Sequence, residues 1–368
     1  MKEFSSAGAL LNVKNNNSYY IIRLILIRRI AVRSMKVLNR LVWVIALYAF
    51  SVCAQNSKAG TVPFDFLRLD YDARTIAMGG ASVAMPNGLN GAFLNPASCG
   101  FLTKQQAMAG YRWIFMDAWG GPIGYALPYK NYGVFSMNAE YVSSGYVDEI
   151  DENQNYTGVR WNQSSFTGCV TWSKVVLDNI SVGAGIRGIH DYIGSSYTHT
   201  AADAIAFEAG GQYRALGSRF ILGCAIRNAG FMLSGYTSAT DTLPLPLSLA
   251  VGVSYTPVYL PNVRLALDLQ KAIDDYLNYK PGIEVAVYEK YLFVRGGFTF
   301  SEQDLEAKIN EFKGEPSTTY IKSNSSGLSL GVGLNAPVNG ANTNIDVAYL
   351  FRVDDPDPSF LLNVLFEF

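Results

Sequence analysis

Residues 247–270 read LSLAVGVSYTPVYLPNVRLALDLQ and contain two runs with an apolar residue at every second position. A turn that holds Pro257 and Pro261 separates the two runs. Strict alternation sends successive side chains to opposite faces of a β-strand. Each run therefore predicts a strand with one apolar face and one face of small, polar or charged residues, and the turn predicts a hairpin.

The same alternation continues on both sides of this hairpin, from about residue 104 to the C-terminus. An antiparallel, all-β transmembrane barrel needs tilted strands of about 9–11 residues, usually in an even number. The pattern predicts about 14 strands of such length, near residues 104–114, 118–127, 133–142, 165–176, 179–190, 203–215, 219–229, 246–256, 262–271, 281–289, 291–300, 327–336, 343–352 and 360–368.

The predicted connections alternate between short and long, which is typical of a barrel with turns at one end and loops at the other. The longer ones lie near 143–164, 191–202, 230–245, 272–280, 301–326 and 353–359. A soluble β-sandwich also alternates and is the alternative. Strand length and an export signal favour the barrel, whose closure leaves no unpaired edge in lipid.

The polar face of the predicted strands carries several charged residues, which a barrel would turn toward its lumen. They either pair with one another and with a segment inside the barrel, or they line a polar passage; pairing is favoured because buried charges need partners. The set comprises Glu140, Arg187, Glu208, Arg264, Asp268, Glu284 and Asp346.

The first 54 residues differ from the rest of the chain. Residues 1–34 are interpreted as an over-extended N-terminus, because a complete secretory pattern begins only at Met35. Residues 35–54 predict a signal peptide, with Lys36 and Arg40 before an apolar stretch that ends at small residues. Of 29 basic and 30 acidic residues, eight and one lie in this part, so residues 55–368 carry 21 and 29.

This acidic balance argues against binding to nucleic acid. The chain has only two His and four Cys, which predicts no metal site and no disulfide framework. No cofactor-binding motif stands in its proper structural context, and no set of residues predicts catalysis. The protein is therefore predicted not to be an enzyme and to need no cofactor.

Residues 55–103 do not alternate and precede the barrel at residues 104–368. Small residues and a glycine pair predict a tightly packed segment, which is interpreted as an N-terminal hatch inside the barrel. Asn95 before Pro96 predicts a short helical turn, because Asn is a good N-cap and Pro suits the first helical position.

The hatch motif consists of Asp72, Ala73, Arg74, Met78, Gly79, Gly80, Ala81, Asn95, Pro96 and Ala97. It closely resembles the N-terminal signature of the PorV/PorQ family of outer-membrane proteins. That family is similar to the FadL-type transporters, which are fourteen-stranded barrels with an N-terminal hatch containing Asn-Pro-Ala. The resemblance implies a hatch that plugs the lumen from the periplasmic side.

The resemblance also implies two functions. PorV and PorQ act with the type IX secretion system, which predicts a non-enzymatic component or cargo shuttle for protein transport, with secretion-system proteins or exported cargo as partners. The alternative is a FadL-like channel for uptake of hydrophobic small molecules, with a hydrophobic ligand in the lumen. Both place the protein in outer-membrane lipid. Phe366 and Phe368 in the last strand resemble the C-terminal signal for barrel insertion.

Overall fold

A computed structural model of the chain describes residues 62–195, 197–237, 243–288, 290–305, 326–338, 340–352 and 358–368. The predictions for residues 1–34 and for the signal peptide at residues 35–54 lie outside the described residues. So do residues 55–61 of the predicted hatch.

Fourteen antiparallel strands form one closed barrel, each paired with its neighbours in sequence and β1 paired with β14. This confirms the predicted fold class. The strands are β1 (Gln106–Phe115), β2 (Ala118–Tyr129), β3 (Gly133–Ile150), β4 (Tyr156–Leu177), β5 (Ile180–Ser195), β6 (His199–Ala215), β7 (Phe220–Ser234), β8 (Ser248–Tyr255), β9 (Val263–Ala272), β10 (Leu277–Tyr288), β11 (Leu292–Ser301), β12 (Gly327–Val338), β13 (Ala341–Arg352) and β14 (Ser359–Glu367).

The predicted hairpin at residues 247–270 is present, with Val253 opposite Leu267 and Tyr255 opposite Leu265. The barrel has a turn end, where short connections such as residues 130–132 and 178–179 join the strands. Its opposite end, called the loop end, carries the other connections. They include two residues at 116–117 as well as the stretch at 235–247, so the predicted alternation of short and long connections holds only in part. At the turn end, Gln105 and Phe368 exchange backbone hydrogen bonds of 3.2 and 3.1 Å, which extends the closing pair of strands.

The predicted loops at 143–164 and 191–202 are wrong in extent, because β3 to β6 continue through most of them. A turn at residues 151–155 joins β3 and β4, and the Asp151 carboxylate accepts two backbone N–H bonds in it. Apolar alternation is required only where a strand face meets lipid. Beyond that zone the strands can continue to form backbone hydrogen bonds although their side chains no longer alternate between apolar and polar.

The two faces of the wall have opposite chemistry. Outward-facing side chains are apolar and exposed; Ile123, Met137, Val170, Ile186 and Val332 are examples. Aromatic clusters lie toward both ends of the outer surface, such as Tyr111–Trp119–Tyr141 at the loop end and Tyr129–Tyr132 at the turn end. An apolar band between aromatic girdles is the surface that a barrel presents to a bilayer.

Residues 62–105, here called the plug, fill the interior of the barrel. The plug contains helix α1 (Ala73–Ala77), helix α2 (Leu89–Ala92) and two 3₁₀ turns, at Asp65–Arg68 and Pro96–Phe101. Residues 71–99 of the plug are almost all buried, and α1 contacts β11, β12, β13 and β14. Among the described residues, no helix is long and apolar enough to span a bilayer.

Candidate functional site

The interface between plug and wall holds most of the residues of the hatch motif. Asp72 caps the N-terminus of α1: its Oδ2 accepts hydrogen bonds from Thr75 N at 2.8 Å and Thr75 Oγ1 at 2.6 Å. Burial raises the pKa of Asp72 to about 6, although the Thr75 hydrogen bonds oppose this shift. The start of α1 is also tied to the wall, since Ala73 N donates to Asn363 Oδ1 on β14.

Arg74 joins the plug to the wall through a two-pronged ion pair. Its Nε and Nη2 donate to the two carboxylate oxygens of Glu284 on β10, at 3.0 and 2.9 Å. Glu284 also accepts from Arg295 Nε at 2.7 Å, and Arg295 in turn donates to Asp346 on β13. The sequence predicted inward-facing Glu284 and Asp346 with ionic partners, and the structure confirms this pairing.

Met78, Gly79 and Gly80 form the tight exit from α1 against β10 and β11. Gly79 and Gly80 have φ values of +67° and +81°, which side chains rarely adopt. The wall matches this with its own glycines: a Cβ at Gly297 would lie 2.1 Å from the backbone of Met78 and Gly79. Two backbones therefore touch directly here.

Asn95, Pro96 and Ala97 dock on the other side of the lumen. The Asn95 side chain accepts from Ala97 N at 3.0 Å, as an N-cap does, and donates to Val83 O and Gly211 O at 2.9 and 3.2 Å. Ser181 on β5 donates to Ala97 O at 2.7 Å. The predicted helical turn is confirmed.

The structure thus divides the hatch motif between two anchors. Asp72 to Gly80 binds β10 to β14, whereas Asn95 to Ala97 binds β5 and β6. Asp268 on β9 lies between them and accepts from Ser82 N and Val83 N at 2.7 and 2.8 Å. Sequence reasoning placed Asp268 inside the barrel but did not identify its partners, because no local pattern specifies contacts across about 185 residues.

Other wall charges pair within the lumen. Arg187 is fully buried and binds Glu208 at 2.8 Å and Glu140 at 3.1 Å. Thr167 accepts a further bond from Arg187 at 2.9 Å. These ion pairs therefore join the inner faces of β3, β5 and β6 along one side of the wall. In the described part of the chain, no group of His, Cys, Asp and Glu is placed to hold a metal ion.

The first residues of the plug enter an apolar cluster near the loop end. Phe64 and Leu67 pack there with residues of β5, β6 and β7 and the segment that follows β7: Ile189, Ala202, Ala204, Ala206, Met232 and Leu245. Inward-facing apolar residues at this level break the otherwise polar lining. Phe64 and Leu67 therefore form a hydrophobic contact with the wall, here called the stopper.

A cavity of about 390 Å³ opens beside this stopper, between plug and wall. Its floor is the plug from Asp65 to Gly80. Its wall residues come from the loop-end halves of β1 and of β7 to β13. The lining combines apolar side chains, such as Ile76 and Leu350, with charged ones, such as Arg112 and Lys280.

The two C-terminal aromatics lie at the turn end. Phe366 faces outward and Phe368 carries the backbone bonds to Gln105. Their role as an insertion signal stays a prediction.

Comparison with solved structures shows which known barrels this fold is similar to. The Pseudomonas putida toluene transporter TodX has a TM-score of 0.54 and 13% identity, covering 81% of this chain and 97% of that one. The Ralstonia pickettii toluene transporter TbuX has a TM-score of 0.52 and 13% identity over 81% and 97%. The monoaromatic hydrocarbon channel CymD gives 0.50 and 12% over 81% and 96%.

No protein-family model matches the chain, and no curated protein matches it either. The structural likeness shows the fold, a closed fourteen-stranded antiparallel barrel like those of these transport channels. The predicted membership of the PorV/PorQ family stays a prediction.

Proposed function

We propose that this protein is a channel of the bacterial outer membrane for small molecules that have a hydrophobic body. The observation that carries the proposal is the cavity of about 390 Å³ between plug and wall. Its size lies in the range of small-molecule sites, about 300–1,000 Å³. It is placed at the loop end, where solute would arrive from outside the cell.

The barrels of similar fold support this proposal, because their names describe toluene transporters and a monoaromatic hydrocarbon channel. The apolar outer belt supports the location, since such a surface needs lipid. The lining of the cavity is not purely apolar, because it combines apolar side chains with charged ones.

In this proposal the plug is the gate. The hatch motif supplies its two anchors, one through Arg74 and Glu284 and one through Asn95 and Ala97. Phe64 and Leu67 close the route from the cavity into the lumen. Passage requires the plug to move relative to the wall, because ion pairs and backbone contacts fill the remaining space.

Uptake by whole cells tests the channel. Cells that lack their own channel for aromatic solutes would express this protein, and early uptake of radiolabelled toluene would be followed. We expect faster uptake than in cells with an empty vector. Whole cells are required, because toluene crosses simple lipid vesicles without any protein. Uptake equal to the empty vector, with the barrel present in the outer membrane, would contradict the proposal.

A disulfide across the interface tests the gate. A Cβ at Gly252 would lie 3.4 Å from Ala84 Cβ, close to the spacing of a disulfide, and 2.0 Å from Asp268 Oδ1, so the Asp268 side chain must shift to admit it. The reduced form of the same variant carries the same shift and therefore controls for it. In a variant with Cys99, Cys169 and Cys224 replaced by Ala, Ala84→Cys with Gly252→Cys should slow uptake. Adding a membrane-permeant reductant to the same cells is the matched control and should restore it. Equal uptake under both conditions would show that the plug does not gate.

A type IX secretion component is the second candidate. The resemblance from Asp72 to Ala97 favours it, and the tall β3–β4 hairpin offers a surface for partner proteins. Deleting the gene in its host should then reduce secretion of cargo with C-terminal sorting domains. Unchanged secretion would rule this role out and leave the channel untouched.

A further inference from the structure

The charges around the loop-end cavity are unevenly partnered. Four basic residues line it: Arg68, Arg112, Lys280 and Arg352. The lining carboxylates are already engaged, since Asp70 lies 3.6 Å from Lys280, and Asp65 and Asp275 lie 3.6 and 3.9 Å from Arg68. Arg68 also binds Asp274, so Arg68 and Lys280 both have carboxylate partners at the edge of the cavity.

Arg112 on β1 differs from Arg68 and Lys280 in its partners. Only 1% of its surface is exposed, and no carboxylate of the described residues lies within ion-pair distance. Its Nη1 donates to the Asp70 carbonyl, and its guanidinium lies 5.8 Å from the centre of the Tyr71 ring. Its Nε is buried without a hydrogen-bond partner among the described residues.

A buried guanidinium with an unused donor favours one kind of occupant. Leaving a buried charged group unpaired costs free energy, whereas an anion that accepts its hydrogen bonds recovers that cost. A neutral hydrocarbon would displace water from the cavity and provide no acceptor. A site that contains such a donor discriminates strongly against ligands that cannot bind it.

We propose that the loop-end cavity binds a compact organic anion, whose carboxylate or sulfonate pairs with Arg112 while its apolar body lies against Leu67, Ile76 and Leu350. This inference rests on the proposed channel function for its biological use, but it concerns a binding site that can be measured alone. It separates this chain from channels that take neutral hydrocarbons.

Three probes with one aromatic body and different charge test the site: benzoate, benzyl alcohol and benzylammonium. Their binding to the purified full-length barrel in a non-ionic detergent would be measured by calorimetry at pH 7.5. We expect benzoate to bind at least tenfold more tightly than benzyl alcohol, and benzylammonium to bind least. Hexanoate tests whether the anionic group or the ring matters more.

Variants locate the effect. Arg112→Gln should reduce benzoate affinity to that of benzyl alcohol, and Arg112→Lys should retain part of the difference. Arg160→Gln is the matched control, because Arg160 is exposed and pairs with Asp148 far from the cavity. Leu350→Trp should fill the cavity and weaken all probes.

The outcomes are separable. Equal affinity of the three probes for the unaltered protein would overturn the anion site, while toluene uptake would still decide the channel. No binding of any probe would also overturn it. Both of these binding measurements use the unaltered protein, so they test the inference even if Arg112→Gln fails to fold.

Discussion

At the scale of single residues, the plug is held by a few groups whose environment is unusual. Asp72 uses one carboxylate oxygen to cap α1 and leaves the other buried without a hydrogen-bond partner among the described residues. Arg74 has the opposite arrangement, because both prongs of its guanidinium are used. The charged form of Asp72 is therefore disfavoured at its site, whereas the charged form of Arg74 has all the partners it needs.

We expect docking of the plug to weaken as pH rises from about 4 to 6. Burial raises the pKa of Asp72 from 3.8 to about 6, with Asp346 and Arg74 as its charged neighbours, so the docked plug holds a proton that the undocked plug has lost. Such a shift corresponds to roughly 3 kcal/mol at most. Hydrogen exchange of residues 73–77, corrected for intrinsic rates, would measure it.

Asp72→Asn is the variant that tests this interpretation. Asparagine is an equally good N-cap and does not ionise. The variant should show a flat pH profile and dock at least as firmly as the unaltered protein at pH 7. A profile as steep as that of the unaltered protein would assign the pH dependence to another group.

Replacing Arg74 should loosen the same anchor by charge loss. Arg74→Gln leaves Glu284 with only Arg295 and should weaken docking by about 2 to 4 kcal/mol, since breaking one partner of a buried pair is costly. Arg74→Lys keeps the charge but not the fork, and should rescue only in part. Faster exchange of the α1 amides is the readout. An exchange rate unchanged in both variants would exclude this ion pair as an anchor.

At the scale of elements, glycines in the wall decide where the plug can approach. Gly297 faces the plug and Gly296 faces outward, so neighbours in one strand have different roles. The two backbones meet because neither has a side chain in between. Glycine is therefore needed for packing against the plug at position 297, but not at position 296.

Gly297→Ala should weaken docking of the plug by about 1 to 3 kcal/mol, because its Cβ would overlap the backbone of Met78 and Gly79. Gly296→Ala is the control, since its Cβ would meet only ordinary contacts at 3.7 Å or more. Protease cleavage within the plug should accelerate in the first variant alone. Equal cleavage in both would show that the wall yields at this point.

At the scale of the whole molecule, the important property is that the barrel is closed. Pairing of β1 with β14 leaves no edge in the lipid zone, and the outer surface is apolar between its aromatic clusters. Such a barrel stays folded in mild detergent because its ladder of hydrogen bonds is complete.

Electrophoresis should reveal this closure directly. Without boiling, the purified protein should migrate faster in dodecyl sulfate gels than after boiling, since the closed barrel is compact and resists the detergent. Deleting residues 360–368 removes β14 and should abolish the fast form. Identical migration before and after boiling, with intact sequence, would contradict a closed barrel.

The amino-acid sequence by itself determined the barrel. Period-two alternation is a local property, and lipid on one face enforces it strand by strand, so the number, positions and pairing of β1 to β14 follow from the pattern. The turn at Asn95 and Pro96 is likewise local. The length of β3 to β6 was underestimated, because water beyond the membrane places no such demand on either face.

Only the tertiary structure decided which distant residues meet. Asp268 binds the plug backbone about 185 residues away, Gly297 touches Gly79, and Arg112 lines a cavity without a carboxylate partner in the described chain. No spacing along the chain encodes these contacts, because a closed barrel brings every strand around a common centre. The chemistry of the lumen therefore becomes visible only after closure.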